Sequence, residues 1–129
     1  MKQVKGIIEK SALSLAKGLR EGRWSSVEVV SAHIERVRSV NPSLNAMVAD
    51  CFDTALVAAE KADARLKEWR ANDAGAPLPP FLGVPCTIKE AFAVKDMPNT
   101  SGVVARRQII ASADADAVRL LKVAGFIVM

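Results

Sequence analysis

One lysine in this chain stands where chemistry could occur. Lys89 follows the apolar run Val84-Pro85-Cys86-Thr87-Ile88, which reads as a strand giving way to loop at the lysine. In α/β sheets, ligands gather beyond the carboxyl ends of strands. An amine held in low-dielectric surroundings gives up its charge more readily and can then act as a base. A solvated lysine at a strand end would have the same sequence, and Glu90 beside it could serve as a salt-bridge partner.

The other chemistry-bearing residues offer less. Thr100-Ser101-Gly102 supplies hydroxyls and a flexible backbone, but as a bare tripeptide it fits a turn. Asp114 and Asp116 form a carboxylate pair without a histidine or a third acid, a pattern that suits a helix start better than a metal site. His33 is the only histidine and reads as a helix-surface residue, which leaves no Ser-His-Asp triad and no histidine-rich metal site. Cys51 and Cys86 are too few for a disulfide scaffold and lack zinc-type spacing, so both read as reduced and buried in an intracellular protein. There is no phosphate-binding glycine loop of the P-loop or Gly-x-Gly-x-x-Gly kind.

Helices must carry most of the chain that positions these residues. Val4, Ile8, Ala12, Leu15 and Leu19 recur at helical spacing and predict a basic amphipathic helix over about 4–19. Such a helix can dock on a core or lie on a membrane surface. Ser25-Ser26-Val27-Glu28 is a capping box that opens a second helix with the stripe Val27, Val30, Ile34 and Val37, expected to end at Asn41-Pro42. Residues 45–51 read as a short strand. A third helix over about 52–70 has the stripe Phe52, Ala55, Ala59, Ala62, Leu66 and Trp69, whose alanines imply close packing against another element. Residues 72–80 are a loop, and 95–102 are loop material. Asp114 or Asp116 caps a last helix carrying Val118, Leu121 and Ala124, closed by Gly125 ahead of an apolar run over 126–129. Strands alternating with helices make the fold α/β with parallel pairing. Three short strands are few for such a sheet, so the expectation is the front part of a larger domain over residues 1–129, with 1–23 as its lead-in helix.

Composition narrows the class. At 129 residues, half apolar and a quarter charged, the chain is one globular domain at most. Its net charge of +4 resides entirely in residues 1–23, and the rest balances. That distribution, with only 5% aromatic residues and no tyrosine, argues against a nucleic-acid surface. No apolar run is long enough to span a membrane and no signal peptide is visible, which reads as a cytoplasmic protein with membrane contact, if any, through residues 1–23.

At Leu82-Gly83-Val84-Pro85-Cys86-Thr87-Ile88-Lys89-Glu90 the chain resembles the amidase signature family, whose Gly-x-Pro-x-x-x-Lys segment carries a catalytic lysine. The likeness extends over roughly 11–129. It takes in Ser25 to Glu28, the Asn41-Pro42-Ser43-Leu44-Asn45-Ala46 connection, Ala58 to Asp63, the Met97 to Gly102 loop, and the two ends of the last helix at Asp116-Ala117-Val118 and Val123-Ala124-Gly125. Lys89-Glu90-Ala91-Phe92 with Met97-Pro98-Asn99 looks closest to the fatty-acid amide hydrolase-like branch.

The resemblance implies the N-terminal part of an amidase-signature fold, helices packed on a mixed β-sheet, incomplete in this chain. It implies hydrolysis or transfer of small-molecule amides through a Ser–cis-Ser–Lys triad, with Lys89 as the lysine and no metal or cofactor. The Gly/Ser-rich segment that carries both serines is not in these residues, and neither Ser101 nor Ser112 lies in such a run. Val103 stands where many members have serine, and Glu90 where many have aspartate. On this reading the chain alone is inactive. The rival readings are a non-catalytic interaction module and a fragment of an A-type amidotransferase component.

Overall fold

The computed structural model describes residues 6–72 and 77–129. Helix α1 is Ala12–Arg20, α2 is Ser26–Leu44 and α3 is Phe52–Asn72. Strand β1 is Pro85–Cys86, a 3-10 turn covers Val104–Arg106, α4 is Asp116–Val123, and β2 is Ile127–Val128.

The single helix expected over 4–19 is interrupted. Residues 6–8 form one turn, which Lys10 N–H closes on the Ile7 carbonyl at 3.1 Å. Ser11 then starts α1 afresh, its hydroxyl accepting from Ser14 N–H at 3.2 Å. An N-cap serine needs extended backbone, and Ser11 has it at ψ 158°. Val4, the start of the expected helix, lies outside the described residues, as do residues 73–76 of the expected loop. The break shifts the buried face to Ile7, Leu15, Ala16 and Leu19, which join Val29, Leu66 and Val84 in one core cluster. The apolar face of α1 is thereby docked on the core, and Ala12 is exposed.

Helix α2 opens with the expected capping box: Glu28 N–H donates to the Ser25 hydroxyl at 3.0 Å, and Ser25 N–H to the Glu28 carboxylate at 2.7 Å. It does not end at Asn41-Pro42 but runs through Pro42 to Leu44, with Asn45 closing it at φ 48°. Asn41 offsets the helical strain before a proline, because its side chain bonds the chain that follows. The Asn41 side-chain oxygen accepts from Ala46 N–H at 2.9 Å and Met47 N–H at 2.8 Å, and its amide donates to the Met47 carbonyl at 2.9 Å. The same three bonds explain why residues 45–51 are not the expected strand. The backbone groups of Ala46 and Met47 are satisfied by a side chain instead of a neighbouring strand.

Helix α3 packs lengthwise on α2, with Ala55, Ala59, Ala62 and Leu66 all buried. The alanines let the two backbones approach, as their spacing requires. Two strands pair in parallel, Pro85 opposite Ile127 and Cys86 opposite Val128. They are shorter than the expected 84–88 and 126–129. A separate antiparallel bridge sets Pro98 opposite Ile110. Beside it Asp96 N–H meets the Ala111 carbonyl at 2.8 Å, and Ala111 N–H meets the Met97 carbonyl at 2.9 Å, within residues that read as loop.

At the turn into β2, Gly125 has φ +99° and lies so close to the chain before β1 that a Cβ there would be 2.6 Å from both Leu82 Cα and N. Phe81 and Phe126 stack beside it, ring centroids 4.5 Å apart. Neither Asp114 nor Asp116 caps α4; Ala115 occupies that position without a side-chain bond. Among the described residues no helix is long and apolar enough to cross a membrane.

Candidate functional site

Lys89 stands just past the carboxyl end of β1, as the strand reading requires. The strand is anchored there by its partner: Ile127 N–H donates to the Val84 carbonyl at 2.8 Å and Met129 N–H to the Cys86 carbonyl at 3.0 Å. Immediately after the lysine the chain turns, with Phe92 N–H on the Lys89 carbonyl at 2.8 Å. The side chain is exposed, and among the described residues its ammonium forms no salt bridge and no hydrogen bond. It borders a cavity of about 810 Å³. Val40, Leu44, Met47 and Phe92 give that cavity an apolar wall, and Thr100, Ser101 and Gly102 form another side. The Thr-Ser-Gly run, which reads as a turn in sequence, lines the same cavity as Lys89 in the fold.

Glu90 is what sequence reasoning missed. It is not the salt-bridge partner of Lys89. Its carboxylate accepts the backbone N–H of Thr100 and, at 2.7 Å, that of Ser101. Its backbone carbonyl accepts the Asn99 side-chain amide at 2.9 Å. The hydrogen bonds from Thr100, then Ser101, with Arg106 as a nearby cation, hold the Glu90 carboxyl below the usual carboxylate range. The N–H groups of Thr100 and Ser101 converge on this one carboxylate as in an anion nest, at a turn where Ser101 and Gly102 both have positive φ, 51° and 72°. Only the acid directly after the lysine, set against a Ser-Gly turn some way downstream, hints at this in sequence.

The remaining candidates are structural. Asp114 accepts Lys95 N–H at 2.9 Å and pairs with the Lys122 ammonium at 2.7 Å, which holds its carboxyl below the usual range. Asp116 is exposed beside Arg119 at 3.7 Å. Among the described residues no cluster of His, Cys, Asp and Glu could hold a metal. His33 places Nδ1 2.8 Å from the Val29 carbonyl one turn back, a bond within its own helix. Ser112 does not border the cavity. Cys51 and Cys86 are free thiols, half-buried rather than fully buried. Burial pushes Cys86 up to about 11 and raises Cys51 as well. The Cys51 thiol points to the Val128 carbonyl at 3.4 Å, so it packs against β2 and not into the cavity.

A residue outside the site fixes its scaffold. Asp63 of α3 accepts the N–H groups of Ser26 at 2.6 Å and Val27 at 3.0 Å, capping α2 from a neighbouring helix. The buried Ser26 hydroxyl donates in turn to the Gly83 carbonyl at 2.8 Å.

A family model described as Amidase matches residues 28–129. Fatty-acid amide hydrolase 2-A of Danio rerio is 47% identical over 118 residues, covering 91% of this chain and 22% of that protein. The A-type component of a glutamyl-tRNA(Gln) amidotransferase from Acidothermus cellulolyticus is 33% identical over 123 residues, covering 95% of this chain and 23% of the relative. A solved structure described as fatty acid amide hydrolase superposes with a TM-score of 0.88 at 27% identity, covering 99% of this chain and 22% of that one. The chain thus spans about a fifth of the length of the relatives it matches. A match that starts inside the α2 capping box and runs through the lysine segment to β2 shows that the chain belongs to the amidase signature family, with the fatty-acid amide hydrolase-like branch among its similar members.

Proposed function

We propose that residues 1–129 are the N-terminal part of a single amidase domain that hydrolyses carboxylic amides, and that Lys89 is the base of its Ser–cis-Ser–Lys triad. The observation that carries this reading is the position of Lys89: it leaves the carboxyl end of a paired strand at the rim of a largely apolar cavity. In this role Lys89 takes a proton from the bridging serine, which takes one from the nucleophilic serine. The serine oxygen attacks the amide carbonyl while backbone N–H groups hold the oxyanion. The amine leaves with a returned proton, and water then cleaves the acyl-enzyme to the acid. Both serines belong to a Gly/Ser-rich segment that these residues do not contain, so the chain alone supplies a base without a nucleophile.

Replacing Lys89 by alanine in the full-length enzyme tests the reading. Turnover of an amide substrate should fall on the order of 10² to 10⁴-fold or more with the fold intact. Retention of the parent rate within about threefold, worth under ~1 kcal/mol, would leave Lys89 a solvated strand-end lysine. The similarity to an A-type amidotransferase component favours a second reading, in which the amide nitrogen is transferred and not released. Ammonia release without an acceptor present distinguishes hydrolysis from transfer.

A further inference from the structure

We propose that Glu90 is a positioning residue for the lysine site: its carboxylate fills the nest of N–H groups at Thr100 and Ser101 and clamps residues 99–102 to the turn that carries Lys89. The inference rests on Lys89 being the triad base. Four contacts define the clamp. Both carboxylate oxygens are used, one on each of two successive amides. The neighbouring Asn99 side chain returns to the Glu90 carbonyl at 2.9 Å. Arg106 closes the far side, reaching the Asn99 carbonyl at 3.4 Å.

The consequence for the site is geometric. Glu90 is bonded covalently to Lys89, and the Lys89 ammonium makes no salt bridge or hydrogen bond that would fix it among the described residues. Thr100, Ser101 and Gly102 line the same cavity as Lys89, and Ser101 there holds a left-handed φ of 51° that costs an L-residue energy unless its surroundings fix it. The carboxylate is that hold: each of its oxygens takes one of the two N–H donors, and its charge strengthens both bonds. Glutamine in the same placement would lose the charge and set its NH2 group against one of the two N–H groups, donor against donor. Loss of the clamp lets the loop drift relative to the lysine, and displacements of about 1 Å at such sites can lower rates by up to 10²-fold. Aspartate keeps the charge with a shorter reach.

The test compares Glu90→Gln, Glu90→Asp and Lys89→Ala in the full-length enzyme. Glu90→Gln should lower kcat about tenfold or more with KM within about twofold, and Glu90→Asp should recover a substantial part of the loss. An unchanged kcat in Glu90→Gln beside an inactive Lys89→Ala overturns the clamp and leaves the lysine reading standing. So does an aspartate variant no better than glutamine. An active Lys89→Ala overturns the lysine reading and the clamp with it. Should Glu90→Gln fail to fold, hydrogen exchange on the unsubstituted protein decides. Amides of Thr100 and Ser101 slowed at least about tenfold against unstructured rates support the clamp, and exchange at unstructured rates overturns it.

Discussion

The Ser26 hydroxyl donates to the Gly83 carbonyl at 2.8 Å, a bond between residues 57 apart in the chain. It fastens the first turn of α2 to the residue that leads into β1, with Asp63 holding the same turn from α3. Three segments thus meet at one buried serine, and the strand that precedes Lys89 starts just after that junction. Gly83 is suited to the place: its φ is +88°, and a Cβ would lie 2.8 Å from the Ser26 oxygen.

Asp63 should be expensive to replace. Asp63→Ala leaves two N–H groups of α2 without an acceptor, and bonds to a charged partner contribute about 1.5–3 kcal/mol each, less where water can reach. In the full-length protein we expect a loss of about 2 kcal/mol in denaturant unfolding, with Asp63→Asn intermediate because its amide oxygen still accepts. An Asp63→Ala midpoint equal to that of the parent would show that water replaces the cap.

Two glycines with positive φ should respond differently. Gly125→Ala combines an unfavourable dihedral with a Cβ 2.6 Å from the Leu82 backbone, which has no flexible end to move. Overpacking and strain together predict a loss of about 3 kcal/mol or more. Gly102 also has φ +72° but nothing within 4 Å of its would-be Cβ, so Gly102→Ala carries only the dihedral penalty of about 1–2 kcal/mol. Thermal melts of the two variants in the full-length protein, side by side, check the order.

The thiols should be sluggish. With Cys86 pushed up to about 11 by burial, its thiolate fraction at neutral pH is lower than that of an ordinary cysteine by a factor on the order of 10². Alkylation of the folded protein by iodoacetamide at pH 7 should be slower by at least that factor than in denaturant, and mass spectrometry of the Cys86 peptide gives the rate.

Acid should loosen α4 through Asp114. Its folded pKa is depressed, first by the Lys122 hydrogen bond and then by Lys95 N–H. A depressed carboxylate contributes stability above its unfolded pKa, and that contribution is lost as pH falls through the folded value. The window therefore lies below about pH 4. In the full-length protein Asp114→Asn should melt below the parent at pH 7, and the two should converge toward pH 2. A constant difference in melting temperature across that range would rule out the ion pair as its source.

The isolated 129-residue chain should self-associate and show no sharp two-state melt. Phe92, Val104, Ile110, Leu120 and Val123 are each more than half exposed, and such apolar surface favours association. Calorimetry with size-exclusion chromatography reads both properties; a monomer with a sharp transition would contradict the expectation.

Local chemistry was legible in the sequence wherever it acts within one or two turns of chain. The Ser25–Glu28 capping box, the alanine stripe of α3 and the strand that gives way at Lys89 all depend on near neighbours, so residue type and spacing sufficed. The resemblance around the Gly83 to Lys89 segment likewise came from residues in unbroken order. Bonds between residues far apart in the chain were not legible, because nothing in spacing says which distant group will satisfy a given donor. Asn41 completes the backbone of Met47 and so removes a strand, Asp63 caps a helix it does not belong to, and Asp114 turns to Lys122 instead of capping α4. Glu90 is the same case at the site. A carboxylate beside a lysine suggests an ion pair, yet two converging N–H groups at Thr100 and Ser101 compete for it, and only the folded loop brings them within reach.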